Sequence, residues 1–163
     1  MKIGIISDTH GTLNEKLLNF LEPCQEVWHA GDVGNELILK ELQKTKKLRA
    51  VYGNIDGTAV RMQVTEYLRF EIEGLKVIMT HIGGYPGHYQ PGLRNLIEID
   101  QPGMVVCGHS HILKVVNDPK YKHLHVNPGA AGDSGFHRIR TAVRFELVNG
   151  KPSDMEIWEL PRG

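Results

Sequence analysis

The chain has 163 residues, enough for one domain with a sizeable core. Its 19 Lys+Arg balance 19 Asp+Glu, so it lacks the basic excess of a general polyanion binder, and any phosphate recognition must be local. Hydrophobic residues make up 40% and charged residues 23%, and no apolar stretch approaches membrane-spanning length.

Ile3-Gly4-Ile5-Ile6 has no polar face and reads as a buried strand, ending in Ser7-Asp8-Thr9-His10-Gly11. The run before Asp8 is too short for a signal peptide. A helix follows, capped by Thr12 or Asn14, with Leu13, Leu17, Leu18 and Leu21 at helical spacing and Pro23 beyond its end. Val27 to Asp32 is a second strand, and a second helix carries Leu37, Leu39 and Leu42; the leucines of both helices are read as core. Leu48 to Tyr52 makes a third strand, ending in Gly53-Asn54-Ile55-Asp56. This βαβαβ order implies a parallel sheet with right-handed crossovers.

The pattern then changes. Leu68–Ile72 and Lys76–Thr80 flank Glu73-Gly74 as a hairpin running into His81. A loop over 82–92 and a short helix with Leu93, Leu96 and Ile97 lead to the buried strand Met104–Cys107, which ends in Gly108-His109-Ser110-His111. Short strands over 114–116 and 123–126 precede a hairpin through Asn149-Gly150, from Ala142–Phe145 to Glu156–Trp158. No linker or repeat interrupts the chain, so residues 1–163 are expected to form one domain. Cys24 and Cys107 read as free buried thiols of a reducing compartment, hence a cytoplasmic protein.

Five polar clusters stand where apolar strands end: Asp8/His10, Asp32, Asn54, His81 and His109/His111, almost all beside a glycine. Any one has a plain reading as turn chemistry. Together they supply oxygen and imidazole ligands from successive sheet edges, the signature of a metal site.

The ordered set Asp-x-His, Gly-Asp, Gly-Asn, His, Gly-His-x-His resembles the calcineurin-like metallophosphoesterase superfamily. The short chain and Gly53-Asn54-Ile55-Asp56 are most similar to its small bacterial and archaeal phosphodiesterase branch. The resemblance implies a four-layer α/β/β/α sandwich carrying two divalent metals, manganese first, with iron, nickel or zinc as alternatives. It further implies that Asp8, His10 and His111 bind one metal, that Asp32 bridges, and that Asn54, His81 and His109 complete the second, with Asn54, Asp32 and His81 counted as catalytic. Two such ions, about 3.5–4 Å apart, would share a water and aim it at phosphorus. The implied activity is hydrolysis of a small phosphoester, a phosphodiester first. The alternatives are a phosphomonoesterase, a nucleotide pyrophosphatase, or a non-catalytic scaffold resembling the retromer subunit.

One departure stands out. Many members carry a histidine after Gly-Asn that can protonate the leaving group; here that position is Ile55. His88 is a candidate substitute acid. Asp56 reads as a brace for the Asn54 loop, His29 as a packed strand residue, and His123 and His125 as hydrogen-bonded or solvent-facing. Asn127-Pro128-Gly129 reads as a supporting turn, and His137, Arg138 and Arg140 as a solvated loop with an option on a distal phosphate. The exposed strands of the carboxyl-terminal hairpin suggest a homo-oligomer.

Overall fold

The structure is a computed structural model describing residues 1–163. Its element order is β1 (Lys2–Ile6), α1 (Glu15–Leu21), β2 (Glu26–His29), α2 (Glu36–Gln43), β3 (Lys47–Ala50), α3 (Thr58–Arg61), β4 (Tyr67–Ile72), β5 (Leu75–Thr80), α4 (Pro91–Asp100), β6 (Met104–Val106), β7 (Leu113–Asn117), β8 (Leu124–Pro128), β9 (Ile139–Val148) and β10 (Lys151–Pro161). One five-stranded sheet runs β10-β9-β1-β2-β3 and the other β4-β5-β6-β8-β7.

The two sheets pack through one apolar layer. Ile3, Ile5, Trp28, Val143 and Phe145 meet Val77, Met79, Met104, Val106 and Val126 there. Helices α1 and α2 cover the far face of the first sheet with Leu17, Leu21, Ile38, Leu39 and Leu42. Helix α4 covers the second with Leu93 and Ile97. This is the expected α/β/β/α layering. Alternation within each strand produces it, since Ile3 and Ile5 face the other sheet while Ile6 faces the helices.

Parallel pairing of β1, β2 and β3 places the loops after these strands at one sheet edge. In the second sheet β5, β6 and β8 are likewise mutually parallel. Backbone hydrogen bonds tie the loop after β1 to that after β2, and the loop after β5 to that after β6. Asp8 N–H donates to Gly31 C=O at 2.9 Å, His10 N–H to Asp32 C=O at 3.0 Å, and Gly108 N–H to His81 C=O at 3.0 Å.

Asn14 is the helix cap, its side chain accepting from Lys16 N–H. Leu37 is a correction: it is exposed, and Ile38 joins the expected Leu39 and Leu42 on the buried face of α2. The carboxyl-terminal hairpin is also less exposed than expected. Strand β9 lies inside the sheet, antiparallel to β1, and only β10 is an edge. No helix is long and apolar enough to cross a membrane.

Candidate metal centre

The seven polar side chains expected at one site are brought together by these loops. Asp8, His10 and His111 place ligand atoms within 4.8 Å of one another, as do Asp32, His81 and His109. Asp32 faces both groups through different oxygens: Oδ2 is 3.4 Å from His10 Nε2, and Oδ1 is 3.2 Å from His81 Nε2. Asp8 Oδ1 lies 3.2 Å from His111 Nε2, 3.7 Å from His81 Nε2 and 3.8 Å from His10 Nε2. Asn54 joins through its Oδ1, 3.1 Å from His109 Nδ1.

A divalent ion fits this set. Asp8 Oδ1, His10 Nε2 and His81 Nε2 are buried without a hydrogen-bond partner, although they point at one another. Buried polar atoms are otherwise almost always paired. Ligand atoms held about 2.1 Å from a common centre stand roughly 3.0–3.4 Å apart, the order of the spacings seen here. Imidazole with carboxylate suits manganese, iron, nickel or zinc.

The ligands are held from behind. Asp8 Oδ2 accepts from Ser7 Oγ–H at 2.6 Å and from His109 N–H at 3.1 Å, leaving Oδ1 for the centre. His81 Nδ1 lies 2.7 Å from Ala30 C=O, so it carries the proton and Nε2 presents its lone pair. Asp56 accepts from three backbone N–H groups, Gly53 and Val33 on Oδ2 and Gly34 on Oδ1, and so clamps the Asn54 loop to the Asp32 loop, as expected.

Backbone strain marks the same residues. Asp8, His10, Asp32, His109 and His111 all have positive φ, from +49° to +71°. Left-handed backbone is uncommon outside glycine and persists where surrounding contacts enforce it, which happens at functional sites. Close packing sets the neighbouring glycines: a Cβ on Gly53 would overlap Asp32 Oδ1, and one on Gly31 would stand 2.6 Å from His81 Nδ1.

Electrostatics follow from the clustering. Burial alone would raise the Asp8 carboxyl, but His10, His111, His81 and Ser7 outweigh it and hold it well below the usual range. Its hydrogen bond with Asp8 raises His10 above the ordinary histidine value; for His81, burial is overcome by Asp32 and Asp8, with the same result. Metal entering the site therefore displaces protons.

His137 is the residue that sequence reading undervalued. Its Nε2 lies 2.8 Å from Gly132 C=O and so carries the proton; its Nδ1 then accepts, at 3.2 Å, from Nδ1–H of His111. That fixes the His111 tautomer with Nε2 bare toward Asp8. Replacing His137 with phenylalanine keeps the ring and removes the acceptor. The expected result is about a 10–100-fold loss of metal affinity, measured by calorimetry, with the unfolding midpoint of metal-free protein little changed.

The remaining candidates sort cleanly. Arg140 pairs with Asp133 at 2.6 Å and with the carbonyls of Leu160 and Pro161, and is structural. Asn127 braces the His109 loop through Gly108 C=O and Ser110 Oγ, although it sits within β8 rather than in a turn. His88 is exposed against Tyr85 and meets none of the cluster. His123 and His125 are buried, each hydrogen-bonded to Tyr89 Oη.

His29 is wholly buried, with Nδ1 accepting from Gly31 N–H and Nε2 at 2.9 Å from Thr9 Oγ1. Burial lowers it from 6.5 to about 4. Its neutral form is favoured by folding, so its contribution is intact above the unfolded value near 6.5 and is lost as pH falls toward 4. Comparing urea unfolding of metal-free wild type and His29→Gln should show this. The wild type should lose on the order of 3 kcal/mol more than the variant between those pH values. Equal pH slopes would refute it.

Two clefts open beside the cluster. One, of about 450 Å³, is lined by His10, Asp32, Asn54, Ile55, His111 and Phe136, among others. The other, of about 560 Å³, runs from His109 past Ile82, Tyr85 and Lys114 to His125. They meet at His109, Ser110 and Ile112. Ile55, Ile82, Tyr85, Ile112 and Phe136 are exposed around them, an apolar rim on a polar centre.

Comparison with known proteins agrees with this geometry. The profile of the calcineurin-like phosphoesterase superfamily domain matches residues 1–150. A phosphodiesterase of Methanocaldococcus jannaschii is 31% identical over 147 residues, covering 79% of this chain and 83% of that protein. A probable metallophosphoesterase of Methanothermobacter thermautotrophicus is 31% identical over 117 residues, covering 68% and 67%. Among solved structures, an archaeal phosphodiesterase superposes with a TM-score of 0.73 at 26% identity, over 98% of this chain and 100% of that one. Vps29 of Entamoeba histolytica, complexed with zinc, gives 0.76 at 15% identity over 99% of both chains, a likeness of fold. With ligand geometry, sheet topology and sequence profile in agreement, this chain belongs to the calcineurin-like phosphoesterase superfamily, in its small phosphodiesterase branch.

Proposed function

We propose that the chain hydrolyses phosphodiesters at a centre of two divalent ions, manganese first among the candidates. Asp8, His10 and His111 hold one ion, Asn54, His81 and His109 the other, and Asp32 serves both. The carrying observation is the set of buried, unpartnered ligand atoms facing one another across Asp32. Ions bound there supply Lewis acidity toward phosphoryl oxygens and acidify a water for attack.

The chain's own residues do the rest. Asp8 and Asp32 offset part of the imported positive charge, and the remainder draws a phosphate ester into a protein of zero formal charge. Ser7, Ala30 and His137 fix the orientation of Asp8, His81 and His111, so the ligands need no reorganisation during reaction. The meeting of two clefts at His109 supports a diester over a monoester, since phosphorus at the junction leaves one cleft for each ester arm. A small substrate and a cytoplasmic setting fit this reading, and β10 offers an edge through which copies could pair.

The test is hydrolysis of bis(p-nitrophenyl) phosphate against p-nitrophenyl phosphate, with manganese, iron, nickel or zinc restored to metal-stripped protein. The diester should be preferred and should need metal. No turnover with any of these metals would favour the scaffold reading instead.

A further inference from the structure

The cleft running from His109 to Lys114 has an uneven composition. No carboxylate lines it, although the chain carries 19 acidic residues. Its polar groups are Gln90, Ser110, Lys114, His125 and Asn127, together with the site residue His109. Lys114 belongs to β7, and its Nζ sits 5.0 Å from the centre of the Tyr85 ring, over the cleft. His125 lines the cleft from β8, is wholly buried, and its Nε2 has no partner in the protein.

A nearby carboxylate and two hydrogen bonds through Tyr89 set what that nitrogen can do. Asp118 Oδ2 is 3.9 Å from His123 Nε2, which favours the proton on that nitrogen. His123 Nε2–H then donates to Tyr89 Oη at 2.9 Å, and the Tyr89 O–H donates to His125 Nδ1 at 2.8 Å. The tautomer left to His125 carries hydrogen on Nε2. The cleft therefore offers an ammonium and a buried N–H donor with no competing carboxylate, beside apolar walls at Ile82, Tyr85 and Ile112. Charge-assisted donors of this kind recognise oxyanions.

The geometry points to a second anion subsite, built by Lys114 and His125, for a phosphate carried on one ester arm of the substrate. It rests on the diesterase reading, with the scissile phosphorus at His109 and the charged arm lying along the cleft. The substrate class is then a phosphodiester with a terminal phosphate, such as a short phosphorylated nucleotide, rather than a diester with two neutral arms.

The test compares thymidine 3′,5′-bisphosphate with thymidine 5′-monophosphate by calorimetry on manganese-loaded protein. Wild type should bind the bisphosphate about tenfold tighter. Lys114→Gln should bring the two within about twofold, and His125→Phe should weaken the preference. Hydrolysis of bis(p-nitrophenyl) phosphate, which has no charged arm, should change less than about twofold in Lys114→Gln. Followed by phosphorus NMR, so that cleavage of either ester bond counts, thymidine 5′-(p-nitrophenyl phosphate) should gain from an added 3′-phosphate only when Lys114 is present. A preference that is absent in wild type, or that survives in Lys114→Gln, overturns the subsite. Inorganic phosphate bound as tightly as the bisphosphate, with the same Lys114 dependence, overturns the assignment to an ester arm. An intact preference without any diester turnover would keep the subsite and sink the catalytic reading alone.

Discussion

Asp32→Asn is expected to lower hydrolysis of bis(p-nitrophenyl) phosphate by about three orders of magnitude or more, and to reduce bound metal from two ions per chain to one or none. The two carboxylate oxygens of Asp32 face His81 and His10 separately, so one side chain touches both halves of the site. Asparagine preserves its size but replaces one oxygen with an amide that cannot ligate through its protons, and it removes a full negative charge from between two cations. Their repulsion is then uncompensated. Asp32 Oδ1 also accepts from Ile55 N–H at 3.1 Å, a bond that the amide oxygen can keep, so the fold should survive. Elemental analysis and activity together check the result. Two ions retained with full activity would mean that Asp32 does not bridge.

The clustered polar residues were legible in the sequence because each follows the end of an apolar strand. A strand that alternates or runs fully apolar states where it stops, and parallel topology states that such ends meet. Asp8, Asp32, Asn54, His81, His109 and His111 are readable in this way, and His10 rides with Asp8. The left-handed backbone of Asp8, His10, Asp32, His109 and His111 was not readable, since positive φ there is imposed by the loops packed around it.

Residues acting through another side chain were also hidden. His137 comes 26 positions after His111, in a loop whose composition reads as solvated; only the fold brings their Nδ1 atoms to 3.2 Å. The chain Asp118, His123, Tyr89, His125 likewise joins α4's leading loop to β8, and no spacing rule connects them. In helix α2 only Leu37 was misplaced, for a different reason: Leu37 and Ile38 are both apolar, and a short helix leaves its phase open by a residue, so the sheet took Ile38 beside Leu39 and Leu42. The insertion of β9 between β1 and β10 is a long-range pairing, and a hairpin signal specifies only the partner across the turn.

Ile55→His should create a catalytic acid at a position whose own side chain cannot supply a proton. Ile55 lines the cleft beside Asn54, is 47% exposed, and its backbone already hydrogen-bonds Asp32. Its side chain thus stands at the mouth of the site on a fixed loop, clamped below by Asp56. An isoleucine cannot transfer a proton, so departure of a basic alkoxide is unassisted from this position. A nitrophenolate leaves without such help. A histidine here should raise kcat for alkyl diesters by up to about 10²–10⁴-fold, the usual contribution of general acid catalysis, while bis(p-nitrophenyl) phosphate gains little. The alkyl-ester rate should also acquire an alkaline limb, falling as pH rises through the histidine's own value, because only its protonated form donates. The position is exposed, so stability should change by no more than about 0.5 kcal/mol, which separates a chemical effect from a folding one. Equal acceleration of both esters, or none of either, would mean that the leaving group already finds its proton elsewhere in the cleft.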